Sequence, residues 1–138
     1  MPKGSLAALA VLSIAGLTAC GGAAKFAAIG SARAPGADAV TQVEEIEGGQ
    51  LLVTVHVTNL PTPDRVAPET KDFVVWFTGP DKRARAAGVL TYNEEAMEGT
   101  LAATTPLHSF SLRITAEADP KAQAPSDYVV IDQHIDES

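Results

Sequence analysis

The chain has 138 residues, one cysteine and a formal net charge of −7 at pH 7. A single cysteine excludes an intrachain disulfide framework, and the acidic balance disfavours binding to nucleic acid or to anionic lipid headgroups. The length suits one domain, which is large enough to bury a core of its own.

The first twenty residues have the features of a secretory signal. Lys3 is followed by an apolar run, Leu6–Ala19, which is shorter than the roughly 20 residues that span a bilayer. The segment Leu17–Cys20 (LTAC) resembles the lipobox of bacterial lipoprotein signals, in which the cysteine becomes the acylated first residue of the mature chain. An ordinary core helix over Leu6–Ala19, or a plain signal followed by a free thiol, are the alternatives.

The lipobox resemblance implies a domain organisation. Residues 1–19 would be the signal peptide, Cys20 the lipidation site (palmitate), and 20–38 an acylated cysteine with a flexible linker. We expect the protein to be lipid-anchored in the cell membrane or outer membrane, with its domain facing the periplasm or exterior. Gly21 after the cysteine favours the outer membrane in a cell with two membranes, because it is not the aspartate that marks inner-membrane retention.

The linker prediction follows from composition. Residues 21–38 are mostly small, with glycine and proline interspersed, so they offer little apolar surface to offset the entropy of ordering. Phe26 and Ile29 are the only large apolar residues there, and they could dock on the bilayer or on the domain.

Residues 39–138 are predicted to form an all-β domain. Gln50–Asn59 and His108–Glu117 alternate apolar and polar side chains, and Asp72–Thr78 is apolar on both faces, as in a central strand. Turn-forming residues separate about seven strands, which favours an antiparallel β-sandwich. The weaker strands are predicted at Val40–Ile46, Ala86–Tyr92, Met97–Thr104 and Asp127–Ile135.

One long connection, Leu60–Lys71, is a candidate for partner binding. Prolines stiffen it, charged residues alternate with them, and its length exceeds that of an ordinary hairpin loop, so it is either functional or a tolerated insertion. The candidate partner residues are Pro61, Pro63, Asp64, Arg65, Pro68 and Glu69.

The order of motifs resembles a known family. The segments are Asn59-Leu60-Pro61, Phe73–Trp76, Gly88–Tyr92, Phe110–Glu117 and Val129-Val130. Together they are similar to the extracytoplasmic C-terminal domain of anti-sigma-K factors, over about residues 48–132. The resemblance implies an immunoglobulin-like β-sandwich. It does not imply control of a sigma factor, because the sigma-binding part and the membrane helix of that family have no counterpart here, and a fold alone does not carry a function.

No motif for catalysis or for a cofactor stands out. Three histidines, His56, His108 and His134, invite a metal hypothesis, but none has a second ligand at metal-site spacing. Nucleophile elbows and phosphate-binding loops are absent from the sequence. We therefore expect no catalytic, cofactor-binding or metal residues and no enzyme activity.

The expected function is that of a membrane-anchored, non-catalytic binding or accessory module. Its partners would be the membrane, through the N-terminal lipid, and a cell-envelope protein, with no nucleic acid. The alternative is a structural or assembly subunit of a cell-envelope complex that uses edge-strand pairing.

Overall fold

The computed structural model describes residues 23–137, so the predicted signal peptide and Cys20 lie outside the described residues. Nine strands, one short α-helix and one 3-10 turn at Glu47–Gly49 make up the described chain. The strands are β1 (Ala24–Ile29), β2 (Asp38–Glu45), β3 (Leu51–Thr58), β4 (Asp72–Thr78), β5 (Ala84–Val89), β6 (Thr91–Asn93), β7 (Glu98–Thr105), β8 (Ser109–Glu117) and β9 (Val129–Asp136), and helix α1 is Pro63–Val66.

Two antiparallel sheets pack over a shared core. One sheet has five strands in the order β1-β2-β3-β7-β6, and the other has four in the order β9-β8-β4-β5. The chain crosses between the sheets at Leu90, whose N–H donates to the Phe73 carbonyl at 2.9 Å. The prediction of an all-β, sandwich-like fold is confirmed.

The period-two pattern of the sequence decides which side chains are buried. In β3, Leu51, Val53, Val55 and Val57 are at most 1% exposed, while the alternate positions lie toward solvent. Since neighbouring side chains of a strand point to opposite faces, this places one apolar row in the core. Phe110, Leu112 and Ile114 in β8 supply the opposing row.

The central position predicted for Asp72–Thr78 is correct. A tryptophan in this apolar run is also predicted to lie in the core between two sheets, and for Trp76 that prediction is wrong. β4 lies between β8 and β5, and Phe73, Val75 and Phe77 belong to the core between the sheets. Trp76 alternates with them and stands opposite Arg113 in β8. It is buried, at 1% exposure, on the outer face of the four-stranded sheet and not between the two sheets.

The flexible linker predicted over 20–38 is corrected by β1. Residues 24–29 pair along their whole length with β2, from Ala24 opposite Val43 to Ile29 opposite Asp38. Phe26 packs against the core, and the turn that follows buries Ala34 and Ala37 completely. The linker prediction from composition was wrong because small residues pack tightly against the edge of a sheet. This packing supplies the buried surface that the segment lacks by itself.

The strand count also differs from the sequence prediction. About seven strands were expected and nine are present in the described chain. One addition is β1; the other arises because the predicted strand Ala86–Tyr92 divides at Leu90 into β5 and β6, one in each sheet. A single apolar run cannot reveal a crossing between sheets, because both halves keep an extended backbone.

Candidate functional site

The predicted partner loop is an ordered structure. Thr62 precedes helix α1, and Pro63 opens it, where a missing N–H removes no helical bond. Pro63 and Val66 are buried, and the buried Thr70 hydroxyl lies 2.6 Å from the Pro63 carbonyl oxygen and 2.9 Å from that of Ala67. The loop is therefore folded upon itself and holds its exposed side chains in place.

A second set of bonds ties the start of this loop to the segment around β6. The Tyr92 hydroxyl donates to the Leu60 carbonyl at 2.5 Å, and the Leu60 N–H donates to the Met97 carbonyl at 2.9 Å. The Tyr92 ring also meets Phe73 edge-on, with the ring centres 5.6 Å apart. Met97 adopts a left-handed backbone, φ 57°, as the chain turns back toward β7.

A groove of about 410 Å³ lies between the two tied segments, here called the loop groove. It is lined by Pro61, Thr62, Asp64, Arg65, Tyr92, Glu94 and Met97. Burial raises the pKa of the Tyr92 hydroxyl, and the nearby carboxylates of Glu94 and Asp64 raise it further. Two carboxylates beside one guanidinium give the groove a negative bias that suits a partner with basic side chains.

The structure brings together only part of the predicted partner set. Pro61, Asp64 and Arg65 line the loop groove, whereas Pro63 is buried beneath the loop. Pro68 and Glu69 are exposed but do not line it. The opposite wall, formed by Tyr92, Glu94 and Met97, was missed, because it comes from a segment some 30 residues away with no binding motif.

A second cleft, of about 610 Å³, opens at the other end of the sandwich. Phe77, Ala87 and Leu107 form apolar parts of its wall. At its lip Arg85 pairs with Asp81, with an N–O distance of 2.8 Å. Hydrogen bonds from the Arg85 guanidinium and the Arg83 N–H lower the pKa of Asp81. No motif in the sequence indicated this cleft, since its walls come from three separate strands and the turns between them.

A chain of buried polar groups runs beneath the connection 118–128. The Trp76 Nε1–H donates to the Thr115 hydroxyl at 2.9 Å, and that hydroxyl donates to a Glu117 carboxylate oxygen at 2.5 Å. The same oxygen accepts the Ser126 N–H at 2.7 Å. Within residues 23–137 no buried side-chain nitrogen or oxygen lacks a partner, so these groups are satisfied as a structural network.

The three histidines lie apart. His56 is on the outer face of the five-stranded sheet, 3.1 Å from a Glu98 carboxylate oxygen, and His134 is beside Ser109 in the other sheet. His108 has its Nε2 2.8 Å from the Gly49 carbonyl and its Nδ1 3.3 Å from that of Glu137. The bond to Gly49 is the main cause of a raised His108 pKa. Among the described residues, no three histidine, cysteine or acidic side chains form a cluster that could hold a metal ion.

Comparison with known proteins found no family model, no curated protein and no solved structure that matches this chain. Over residues 23–137 there is also no helix long and apolar enough to cross a membrane.

Proposed function

We propose that the protein is a lipoprotein anchored through Cys20 to the cell membrane or outer membrane, with a non-catalytic binding or accessory domain facing the periplasm or exterior. The anchor rests on the sequence Leu17–Cys20 at the end of a signal-like apolar run. Acylation also accounts for a solitary cysteine in an exported chain.

The order of strands supports an immunoglobulin-like domain as part of this proposal. Leaving out β1, the sheets contain β2-β3-β7-β6 and β9-β8-β4-β5. The constant-type immunoglobulin sandwich places its first, second, fifth and fourth strands in one sheet and its third, sixth and seventh in the other. The same order results here if β5 is taken as an additional edge strand. Trp76 departs from that pattern, since its side chain points away from the five-stranded sheet.

The binding role rests on one observation, the loop groove held open between two segments that are bonded to each other. Glu69 and Met97 at this end have left-handed backbones, with φ of 66° and 57°. Non-glycine residues adopt this conformation at a cost, and such positions cluster at recognition sites. With Asp64 and Glu94 in its walls, the groove fits a basic segment of a cell-envelope protein.

A second candidate function is assembly of an envelope complex through edge strands. Within residues 23–137, β1 and β6 are the outer strands of one sheet and β9 and β5 those of the other, and β6 pairs with β7 only from Glu98 to Thr100. Free sheet edges of this kind can accept a strand from another protein.

The anchor is tested by Cys20→Ser. We expect the variant to leave the membrane fraction with its signal uncleaved, and the wild-type mature N-terminus to carry more than one acyl chain by mass spectrometry, because a single chain gives only marginal anchoring. Wild-type partition of the variant into a detergent phase would contradict the proposal.

The two binding modes are separated by photocrosslinking in cells. A photoreactive residue at Arg65 or Glu94 should capture one discrete species, and the matched position Lys25 on β1 should not. Charge reversal at Asp64 should then abolish the Arg65 product. Capture from Lys25 alone would favour edge-strand assembly.

A further inference from the structure

The outer face of the first hairpin carries the most exposed large apolar side chain of the described chain. Ile29 is 79% exposed at the end of β1, and Val40 on β2 is 44% exposed. Ala27 stands opposite Val40 in the register and is exposed on the same face. These three residues, here called the hairpin patch, line a shallow depression with Ala28, Asp38 and Ala39.

β1 divides its side chains between two environments. Phe26 and Ala28 point inward and pack against the core, whereas Lys25, Ala27 and Ile29 alternate with them and point outward. Of the two large apolar residues in the N-terminal segment, Phe26 is therefore occupied by the domain. Ile29 is left without a partner among residues 23–137.

The position of Cys20 identifies what covers this face. Only residues 21–23 stand between Cys20 and the first residue of β1. A fully extended chain spans at most about 3.6 Å per residue, so the Cα atoms of Cys20 and Ala24 are within about 14 Å. An acylated Cys20 thus holds β1 at the surface of the bilayer, and no long stem separates them.

We propose that the hairpin patch docks on the bilayer that holds the Cys20 acyl chains, so that the five-stranded sheet lies along the membrane. The proposal rests on the lipid anchor proposed above. The anchor keeps the patch at a high local concentration near the lipid, so a small apolar contact is enough to orient the domain. The outward charges of the hairpin are mixed, since Lys25 lies diagonally across from Glu44 and Asp38 stands opposite Ile29, so the contact is apolar and insensitive to salt.

The test uses the mature lipidated protein, which begins at Cys20, in phosphatidylcholine vesicles. Cys20 is the only cysteine in the sequence, and acylation of its thiol leaves an introduced cysteine as the sole labelling site. An environment-sensitive dye is placed at Ala27→Cys in the hairpin patch. Matched dyes are placed at Val89→Cys on the edge of the other sheet and at Lys82→Cys in the turn between β4 and β5. Nitroxide-labelled phosphatidylcholine serves as the quencher.

We expect several-fold stronger quenching at residue 27 than at residues 82 and 89, unchanged at 1 M salt. Ile29→Asp should reduce the quenching at residue 27 to the level of residue 89 while the protein still floats with the vesicles. Ile29→Ser provides a second variant without an added charge. Both should melt like the wild type, because the Ile29 side chain is mostly exposed.

Four other results would overturn the docking. Equal weak quenching at all positions would leave the anchor intact and remove the docked face. Strong quenching at residue 82 alone would show that the sandwich stands upright. Dye burial that persists in detergent and depends on protein concentration would assign the patch to a second copy of the chain. Loss of vesicle flotation in the wild type would overturn the anchor and the docking together.

Discussion

Trp76 shows how a buried side chain can stabilise a sandwich from outside its main core. Its ring lies on the outer face of the four-stranded sheet, and its Nε1–H reaches the Thr115 hydroxyl. Thr115 in turn donates to Glu117, which also accepts the Ser126 N–H. The network therefore ties the connection 118–128 to the sheet through Ser126. Loss of one member leaves the hydrogen-bonding group of its neighbour without a partner.

Replacing Thr115 by valine should destabilise the domain by about 1–3 kcal/mol, because the Trp76 N–H and the Glu117 carboxylate both lose a buried partner. Thr115→Ser is the matched control, since it keeps the hydroxyl and removes only a methyl group. Urea unfolding followed by tryptophan emission measures both. If the serine variant loses as much stability as the valine variant, packing and not the hydrogen bonds accounts for the effect.

The Tyr92 hydroxyl gives the loop groove a pH dependence. Its pKa is raised above the usual value of 10.0, chiefly by burial and then by Glu94 and Asp64. The unfolded chain therefore loses this proton at lower pH than the folded one. The stabilisation that the Tyr92 hydroxyl gives the folded domain is complete below about pH 10. It is lost as the pH rises through the pKa of Tyr92 in the folded state.

Tyr92→Phe should keep the ring contact with Phe73 and lose the hydrogen bond to Leu60, at a cost of about 0.5–1.5 kcal/mol at pH 8. The gap between wild type and variant should shrink at pH 11, because the unfolded wild-type chain ionises Tyr92 there and the folded state no longer gains the full stabilisation. Parallel urea titrations at the two pH values measure it. A gap of equal size at both would mean that this hydroxyl does not stabilise the loop.

Strand β1 depends on a tight turn that begins at Gly30. The Gly30 N–H donates to the Ala37 carbonyl at 2.7 Å, and a Cβ added to Gly30 would clash with the Ala34 carbonyl oxygen. That contact is with backbone, so no rotamer change relieves it. The Ser31 N–H and hydroxyl also bond to the carbonyls of Val130 and Val129, which ties this turn to β9.

Gly30→Ala should displace the turn and destabilise the domain by about 1–3 kcal/mol, with the loss concentrated at β1. Hydrogen exchange should show protected β1 amides in the wild type and faster exchange there in the variant, while β4 and β8 stay protected. Pro35→Ala, in an exposed position of the same turn, is the control. Unprotected β1 amides in the wild type would restore the flexible linker over 20–38.

At the scale of the whole molecule, the separation of the histidines predicts the response to metal. His56 and His134 lie on the outer faces of different sheets, and His108 bonds to two backbone carbonyls. A specific site would raise the free energy of unfolding by about 2.7 kcal/mol at a hundredfold excess of ligand over Kd. We expect thermal melting to be unchanged by zinc or copper. A rise that is lost in a His56→Ala/His108→Ala variant would show a metal site.

The strands of the core were predictable because their information is local. The alternation of apolar and polar residues in β3 and β8 predicts which side chains are buried, as does the apolar character of both faces of β4. The observed burial agrees with these predictions. The loop Leu60–Lys71 was likewise visible from its prolines. The loop groove was not predictable, since its opposite wall comes from Tyr92, Glu94 and Met97, about 30 residues further along the chain.

The sequence by itself determined the all-β class, the main strands and the candidate lipid anchor, since each depends on residues close together in the chain. Tertiary structure decided the role of residues 24–38, the outward face of Trp76 and the crossing at Leu90. Each of these depends on what a segment packs against. An alanine-rich run is flexible in isolation and forms a strand when it pairs with β2. The pairing supplies the hydrogen bonds and the buried surface that offset the conformational entropy lost on ordering.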